Sequence, residues 1–338
     1  MRVPLPAAIM TTSMARPGGA LDAVWVRDSI RLTSMSFMNV GSCAVLGAVR
    51  SIIGARGLCR LVLGTLIVVL GACSSLRLAY NNAPELSYFW LDRYVDFDKT
   101  QGKRVSAELE QLLRWHRSEE LPLIADLLQN AQTLALQTPS GPQLCALNQT
   151  VLQRSEAIAL RAVPATAAIV TTLSSQQLAN LAKSYEKSNR KMREEWRSAQ
   201  AQGIDNRTLK SLERLEDMYG NLSSTQRRLF QDAMAASGFD SARYFEEVHS
   251  RQQITLQTLE KLRNADSATA QAALLPWIKM FSHSANPAYR EYQAQVTAQT
   301  CQAFAQVHAQ TSMAQRRHMA DYLKDYEQQV RVLAAQKP

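Results

Sequence analysis

The chain has 338 residues, 13 glycines, 5 cysteines and a formal net charge of +9, but its first 72 residues differ in kind from the rest. They hold seven of the 38 basic residues and two of the 29 acidic ones, so the remainder carries a net charge of only +4. Nucleic-acid-binding domains show clustered Lys and Arg, and this small surplus predicts no nucleic-acid partner. Only five glycines follow residue 72, which disfavours phosphate-binding loops and tight hairpins.

The first recognisable element is an export signal. Three arginines between residues 50 and 60 precede an apolar run of about ten residues that starts at Leu61. A run of that length is too short to cross a bilayer, which takes roughly 20 residues, and it suits the core of a signal peptide. It ends in Leu-Gly-Ala-Cys at residues 70–73, which resembles the lipobox of bacterial lipoproteins. We therefore expect 49–72 to be a lipoprotein signal peptide and Cys73 to be the lipidation site.

Residues 1–48, which precede the signal peptide, and the residue after Cys73 are relevant to where the protein is located. Residues 1–48 show no targeting pattern, and a signal peptide that begins near Val49 has an ordinary length, so 1–48 are interpreted as an over-extended start. Ser74 follows the cysteine, whereas aspartate there is the usual inner-membrane retention signal of lipoproteins. The expected location is the cell envelope, with a lipid anchor in the outer membrane on its periplasmic face.

Residues 73–98 are expected to be a lipid-anchored tether followed by an aromatic opening motif. Packing of the aromatic rings onto the helices is the simpler interpretation, and contact with the membrane interface is the alternative. The rings belong to Tyr80, Tyr88, Phe89, Trp90, Tyr94 and Phe97.

Three carboxylates lie in the same stretch, at Asp92, Asp96 and Asp98. Neighbouring carboxylates can perform acid–base chemistry or bind a hard cation. They also cap helices and face water. The three residues are therefore the candidate functional cluster, with helix capping as the alternative.

Residues 99–338 are expected to form a helical domain. Apolar residues there recur with the period of an amphipathic helix, and no segment alternates with period two for long enough to form a strand. Pro122 is expected to open a helix that runs to about Gln137, and Pro164 to kink or end another. The predicted fold class is all-α, an irregular multi-helix bundle of roughly eight to ten helices.

An S-x-x-Q pattern recurs at three places. Capping boxes have this pattern, because the Ser side chain and the Gln side chain each accept a hydrogen bond from the other residue's backbone N–H. Ser174, Ser223 and Ser312 are therefore predicted to be helix N-caps. The pattern is also similar to the L-T-x-x-Q motif of periplasmic helical stress chaperones.

Export also affects the interpretation of the cysteines. Cys43 and Cys59 leave with the leader, so Cys145 and Cys301 remain in a compartment that allows disulfides. We predict that these two cysteines pair, with two separate buried thiols as the alternative. In the loop-entropy model so long a closed loop adds ~4–5 kcal/mol of stability.

No catalytic motif is recognisable in the chain. It lacks H-E-x-x-H, G-x-S-x-G, a P-loop, G-x-G-x-x-G and C-x-x-C. His308 and His318 are ten residues apart, which does not suit a helical zinc pair, and His116 lies on an apolar stripe. We expect structural histidines, and we predict no catalytic residue, metal or cofactor.

The opening of residues 73–98 carries a family resemblance. Residues 73–82 read CSSLRLAYNN, and residues 90–98 contain Trp-Leu-Asp and Tyr-Val-Asp-Phe-Asp. These blocks resemble the opening of a proteobacterial lipoprotein family catalogued only as a domain of unknown function. Blocks at 173–177 and 214–220 are similar to later parts of that family. The resemblance implies an envelope location and a helical fold, and it implies no activity.

These features lead to one function hypothesis and two alternatives. The first is a non-enzymatic envelope lipoprotein, a helical interaction or scaffold module in the periplasm whose partners are the membrane and an envelope protein. The alternatives are a periplasmic chaperone-like protein and an enzyme that acts on envelope glycan or lipid through Asp92, Asp96 and Asp98.

Overall fold

A computed structural model describes residues 75–336, and within them the chain is helical, without a strand. No helix in this range is both long enough and apolar enough to cross a membrane. The leader and Cys73 lie outside the described residues. The α-helices are α1 Ser75–Asn81, α2 Ala83–Val95, α3 Lys99–Trp115, α4 Leu121–Ala135, α5 Gly141–Arg161, α6 Val163–Val170, α7 Ser175–Gln200, α8 Asn206–Tyr219, α9 Ser224–Ala235, α10 Ser241–Leu262, α11 Ser267–Ser282, α12 Pro287–Ala309 and α13 Met313–Ala335.

The predicted all-α fold class is confirmed, but with more helices than expected. Residues 75–336 contain thirteen α-helices, twelve of them with eight residues or more, and a π-helical turn at His116–Glu120. Local chemistry explains the added breaks. Pro164 stands in the first turn of α6 and separates it from α5, because proline lacks the N–H that a continuous helix needs. Asp96 adopts a left-handed conformation with φ of 64° and ends α2.

Polar caps start the helices where the S-x-x-Q pattern predicts them. Ser174, Ser223 and Ser312 each accept a hydrogen bond from the N–H of the Gln three residues on, and that Gln accepts one from the Ser N–H. The three predicted N-caps are confirmed. Ser140 begins α5 and Asp98 begins α3 with the same reciprocal arrangement.

Two pairs of these capping boxes interlock through their glutamines. In the first pair, the side-chain amides of Gln101 and Gln177 donate to each other's oxygen, with N···O distances of 3.3 and 2.6 Å. Gln226 and Gln315 repeat the arrangement at 3.0 and 3.1 Å. The first pair joins the start of α3 to the start of α7, and the second joins α9 to α13. Each pair of glutamines therefore holds together the N-terminal ends of two helices that are far apart in sequence.

The larger apolar core is formed by α4, α8, α9, α12 and α13, with single contributions from α1 and α5. Helix α13 packs along α4, and α12 packs on α5 and α9. Leu76 of α1 is buried in this core, so the stretch that was expected to include a tether begins the folded helices. The most deeply buried members are Ala125, Leu215, Phe230, Met234, Ala303, Val307 and Leu333.

A second apolar core lies between α6, α7, α10 and α11. Aromatic residues of the opening motif cover part of it, since Tyr94 and Phe97 pack against its buried members. Ala167, Ala270 and Leu274 are fully enclosed there. This core fixes the α2–α3 turn against the bundle.

A disulfide joins Cys145 of α5 to Cys301 of α12, with a Cα–Cα distance of 5.6 Å and a sequence separation of 156 residues. The Cα distance lies inside the range that a disulfide can span. The two helices also approach closely beside it. A Cβ on Gly141 would lie 3.3 Å from the Cα of Gln302, so only glycine fits this contact without a shift of the neighbouring chain.

Candidate functional site

A pocket of about 550 Å³ opens where α3, α5 and α13 end. Its volume lies in the range of small-molecule sites, roughly 300–1,000 Å³. Three of its lining residues are arginines, and none of the described residues that line it is a carboxylate. The full lining is Gln111, Arg114, Trp115, Arg117, Ser118, Arg161, Ala334, Ala335 and Gln336. We refer to these nine residues as the arginine pocket.

A π-helical turn shapes one wall of the pocket. Over His116–Glu120 the backbone widens, and the N–H of Leu121 donates to the carbonyl of His116 five residues earlier. The wider turn shifts the phase of the helix, so residues after it point in a different direction from the one they would have in a continuous α-helix. Arg114 before the turn and Arg117 within it are three residues apart, which is a neighbouring position on a helix surface, and both line the pocket. Single π turns inside α-helices are frequent at functional sites.

The arginines have few acidic partners. Arg114 lies 4.0 Å from Glu110, with both side chains more than half exposed, and such a pair contributes little in water. Arg117 donates to the neutral amide oxygen of Asn81 at 2.8 Å, and its buried Nε has no hydrogen-bond partner. Arg161 lies 5.8 Å from the centre of the Trp115 ring. Within residues 75–336 neither Arg117 nor Arg161 forms an ion pair with a carboxylate, so the pocket keeps a positive potential.

The pocket adjoins α1 through a short polar chain. The guanidinium of Arg117 lies over the Tyr80 ring at 5.5 Å, and the Tyr80 hydroxyl is 2.9 Å from Nδ1 of His116. Burial lowers the pKa of His116 to about 4, so its ring is neutral near pH 7. Burial also raises the pKa of Tyr80 to about 12, although Arg117 opposes that shift. The charge at the pocket near pH 7 therefore comes from the arginines.

The three aspartates predicted as a functional cluster surround the turn between α2 and α3. Asp98 accepts hydrogen bonds from the N–H groups of Thr100 and Gln101 at 2.7 and 2.8 Å. Asp92 accepts one from the N–H of Phe97 at 2.9 Å. Asp96 is exposed, and its backbone carbonyl, rather than its carboxylate, accepts from a glutamine. These contacts show Asp98 as the N-cap of α3, while the Asp92 carboxylate accepts from the turn that follows α2.

The aromatic residues of the opening motif mostly pack within the protein. Trp90 and Tyr94 have ring centres 4.5 Å apart, and the Tyr94 hydroxyl is 3.1 Å from the Ser188 hydroxyl on α7. Phe89 differs, since it is 58% exposed, and Leu78 on α1 is 65% exposed. Both residues therefore expose apolar surface to water on the first two described helices.

The histidines named in the sequence are held by specific hydrogen bonds. His308 is buried, with the Tyr219 hydroxyl 2.6 Å from Nδ1 and the Gln137 carbonyl 2.7 Å from Nε2. Nδ1 of His318 is 2.8 Å from the Met218 carbonyl. The expected structural roles are confirmed for both rings. Within residues 75–336 no three His, Cys, Asp or Glu side chains are grouped so that they could hold a metal ion.

A second charged group lies inside the protein, away from the arginine pocket. Arg251 is 1% exposed, and it pairs with Glu247 one turn earlier on α10. Arg251 also donates to the Phe281 carbonyl at 3.1 Å, which ties α10 to the end of α11. The pair is enclosed, so a solute has no access to it, and its role is to hold the two helices together.

The sequence alone did not reveal the arginine pocket. Arg161 is 44 residues from Arg117 along the chain, and the three arginines belong to no motif. The local signal that was available is the spacing of Arg114 and Arg117 around Trp115. Its meaning depends on the positions of α5 and α13, which the sequence pattern does not show.

The fold defines an all-α protein with a basic pocket formed by converging helix ends. The chain belongs to a family of unknown function, DUF6279, whose family model matches residues 93–290. The match begins within α2 and includes every arginine of the pocket, whereas α13 and the residues 73–82 opening block lie outside it. Comparison with curated proteins gave no match, and comparison with solved structures gave none either.

Proposed function

We propose that this protein is a lipid-anchored helical interaction module of the cell envelope, attached through Cys73 and facing the periplasm. The observation that carries the proposal is the disulfide between Cys145 and Cys301. It occurs in a chain whose residues 49–72 have the pattern of a lipoprotein signal peptide. Disulfides persist in oxidising compartments such as the periplasm and are rare in the cytosol. The signal-peptide pattern in residues 49–72 and the disulfide are independent features, and both support a location in the cell envelope.

The chemistry of the arginine pocket supports binding rather than catalysis. Guanidinium groups stay protonated and serve as donors, so they bind anions but do not act as general bases. Among the residues 75–336, Ser118 is the only one with a hydroxyl that lines the pocket, and its Oγ donates to the Trp115 carbonyl at 3.2 Å. The part of the chain that the structure describes places no histidine or carboxylate in the pocket lining to activate that hydroxyl. The enzyme alternative through Asp92, Asp96 and Asp98 has less support, because the carboxylates of Asp92 and Asp98 accept backbone hydrogen bonds that hold the α2–α3 turn.

The S-x-x-Q residues give no separate support for a chaperone function. Gln177, Gln226 and Gln315 are engaged in capping boxes and in the paired amides described above. Their pattern is accounted for by the fold. The chaperone alternative is tested directly by asking whether the purified protein suppresses aggregation of an unfolded client protein. Suppression at stoichiometric amounts would favour that alternative.

Metabolic labelling with a palmitate analogue tests the anchor. Cys73→Ala is expected to abolish labelling and to leave a larger, uncleaved precursor, because acylation precedes signal removal in lipoproteins. Cys59→Ala is the matched control, since it removes a leader cysteine outside the lipobox and should change neither labelling nor size. Persistent labelling of Cys73→Ala would overturn the proposed anchor. Crosslinking of the lipidated protein in its own envelope then identifies the partner.

A further inference from the structure

We propose that the arginine pocket binds the phosphate group of a phospholipid headgroup from the membrane in which the protein is anchored. The inference rests on the proposed lipid anchor for the source of the ligand. It rests on the pocket itself for the chemistry. The shared chemistry is an anionic phosphate group, which a lipid headgroup or a soluble phosphate can supply.

Three guanidinium groups suit phosphate in charge and in geometry. Each guanidinium offers a planar set of N–H donors that pairs with phosphate oxygens, often through two parallel hydrogen bonds. Arg114, Arg117 and Arg161 approach from α3, from the π turn and from the end of α5. Arg117 donates to a neutral amide oxygen and Arg161 lies near the Trp115 ring, so no carboxylate of the described residues neutralises either charge.

The pocket lies close to the expected attachment point. Helix α1 begins at Ser75, two residues after Cys73, and its seven residues span only about 10 Å. Arg117 contacts the far end of this helix through Asn81 and Tyr80. A lipid on Cys73 would therefore hold the pocket within reach of the headgroup layer.

Exposed apolar side chains near the anchor support the same orientation. Leu78 is 65% exposed and Phe89 is 58% exposed, and they lie on α1 and α2. Amphipathic and aromatic groups settle at the membrane interface, where one side is apolar and the other is wet. These two residues would contact the bilayer surface while the pocket receives a headgroup.

A purely structural role for the arginines makes a different prediction. Cations near helix C-termini stabilise the helix dipole, and Arg114 and Arg161 both lie in last turns. That role accounts for stability but does not require a ligand. Binding measurements with a phosphate probe therefore distinguish the two roles.

The experiment uses the full chain in a nonionic detergent and short-chain phosphatidylglycerol as the probe, with inorganic phosphate and short-chain diacylglycerol in parallel. Phosphatidylglycerol is expected to bind, and Arg117→Gln and Arg161→Gln should each weaken it by about tenfold or more, since each removes charge-assisted hydrogen bonds. Arg104→Gln is the matched control, because Arg104 is an exposed arginine of α3 outside the pocket; it should change the affinity by less than about twofold.

Each outcome has a defined meaning. Binding of diacylglycerol as tightly as phosphatidylglycerol would show that the phosphate is not recognised and would overturn the proposal. Equal affinity for inorganic phosphate would assign the pocket to a soluble phosphate and overturn the headgroup source. Unchanged affinity in both pocket variants would leave the arginines with a structural role only. Circular dichroism melts identify a variant that fails to fold, and exposed Arg161 offers the milder substitution if Arg117→Gln is unstable.

The anchor and the pocket can fail separately. Cys73→Ala, assayed in solution, should keep its arginine-dependent binding of short-chain phosphatidylglycerol while it loses palmitate labelling. Normal labelling of the wild-type protein with no arginine-dependent binding would remove the pocket proposal alone. Labelling that persists in Cys73→Ala would remove the proposed anchor, and with it the membrane as the source of the ligand.

Discussion

Gln101 and Gln177 each use every hydrogen-bonding position of their side-chain amide. The oxygen of each accepts from its own N-cap residue and from the other glutamine. The two N–H donors of Gln177 go to the Asp96 carbonyl and to Gln101, and those of Gln101 go to Thr172 and to Gln177. Buried amides are tolerated when all their groups are paired. The pair thus joins two helix starts at no cost in unsatisfied groups.

Substitution of these glutamines should show strong coupling. Gln101→Ala or Gln177→Ala leaves the remaining buried amide unpaired and is expected to lower the free energy of unfolding by roughly 1–3 kcal/mol. The double substitution should cost less than the sum of the two, by about 0.5–3 kcal/mol. Urea denaturation measures both quantities. Gln176→Ala, at an exposed neighbouring position, is the control and should change stability by no more than ~0.5 kcal/mol. Simple additivity of the two substitutions would contradict the pairing.

Two neutral histidines should make the fold sensitive to acid. Burial lowers the pKa of His116 to about 4 and also lowers the pKa of His308, although the Gln137 carbonyl opposes the second shift. In the unfolded chain a histidine has a pKa near ~6.5 and takes up its proton first as the pH falls. The unfolded state therefore binds more protons between about pH 6.5 and 4, so stability falls as the pH falls through that window.

His116→Gln removes one of these titrations. The stability difference between wild type and variant should be largest above about pH 6.5 and should shrink by at most ~3 kcal/mol as the pH approaches 4. Urea denaturation at several pH values measures the difference, and His249→Gln serves as the control for loss of an exposed imidazole. A difference that stays constant from pH 7 to pH 4 would show that His116 is not held neutral by the fold.

At the scale of helices, the disulfide connects an early element to a late one. It joins α5 to α12, which already pack side by side, so it adds to an existing contact. Closing a loop of this length restricts the unfolded chain more than the folded one. In the loop-entropy model, the disulfide therefore stabilises the protein chiefly by lowering the conformational entropy of the unfolded state.

Loss of the disulfide is expected to lower the free energy of unfolding by ~2–5 kcal/mol. The comparison is between the oxidised protein and the Cys145→Ala/Cys301→Ala double variant, which leaves no unpaired thiol behind. On a non-reducing gel the wild type should migrate faster than its reduced form, while the double variant should show no such difference. Reaction of both thiols with maleimide in denatured, unreduced protein would show that the pair does not form.

Local sequence chemistry predicts where helices begin better than it predicts which helices meet. The sequence identified the N-caps Ser174, Ser223 and Ser312, because both residues of a capping box lie within a segment of four residues. The pairing of Gln101 with Gln177 depends on two helix starts that are 76 residues apart, and no local pattern encodes it. The π turn at His116–Glu120 escaped prediction for a similar reason, since its residues fit an ordinary α-helix. The arginine pocket needs α5 and α13 to meet the end of α3, so it was missed as well.

At the scale of the whole molecule, the folded unit extends past the region that the family model matches. The match ends at residue 290, in the first turns of α12, yet the larger core contains residues of α12 and α13. Helix α13 packs along α4, and its last residues line the arginine pocket. Residues 291–336 are therefore part of the structure that holds the pocket together.

A substitution in α13 tests this extension. Leu323 is 2% exposed within the larger core, and Leu323→Ala is expected to lower the free energy of unfolding by ~2–5 kcal/mol, because it removes buried apolar contacts and leaves a cavity. Val332→Ala is the control on the same helix, since Val332 is 46% exposed, and its effect should stay within about 0.5 kcal/mol. Urea denaturation should show a lower midpoint for Leu323→Ala with an unchanged slope. If the two variants were equally stable, α13 would not be packed on α4 in solution, and the pocket would lose one of its walls.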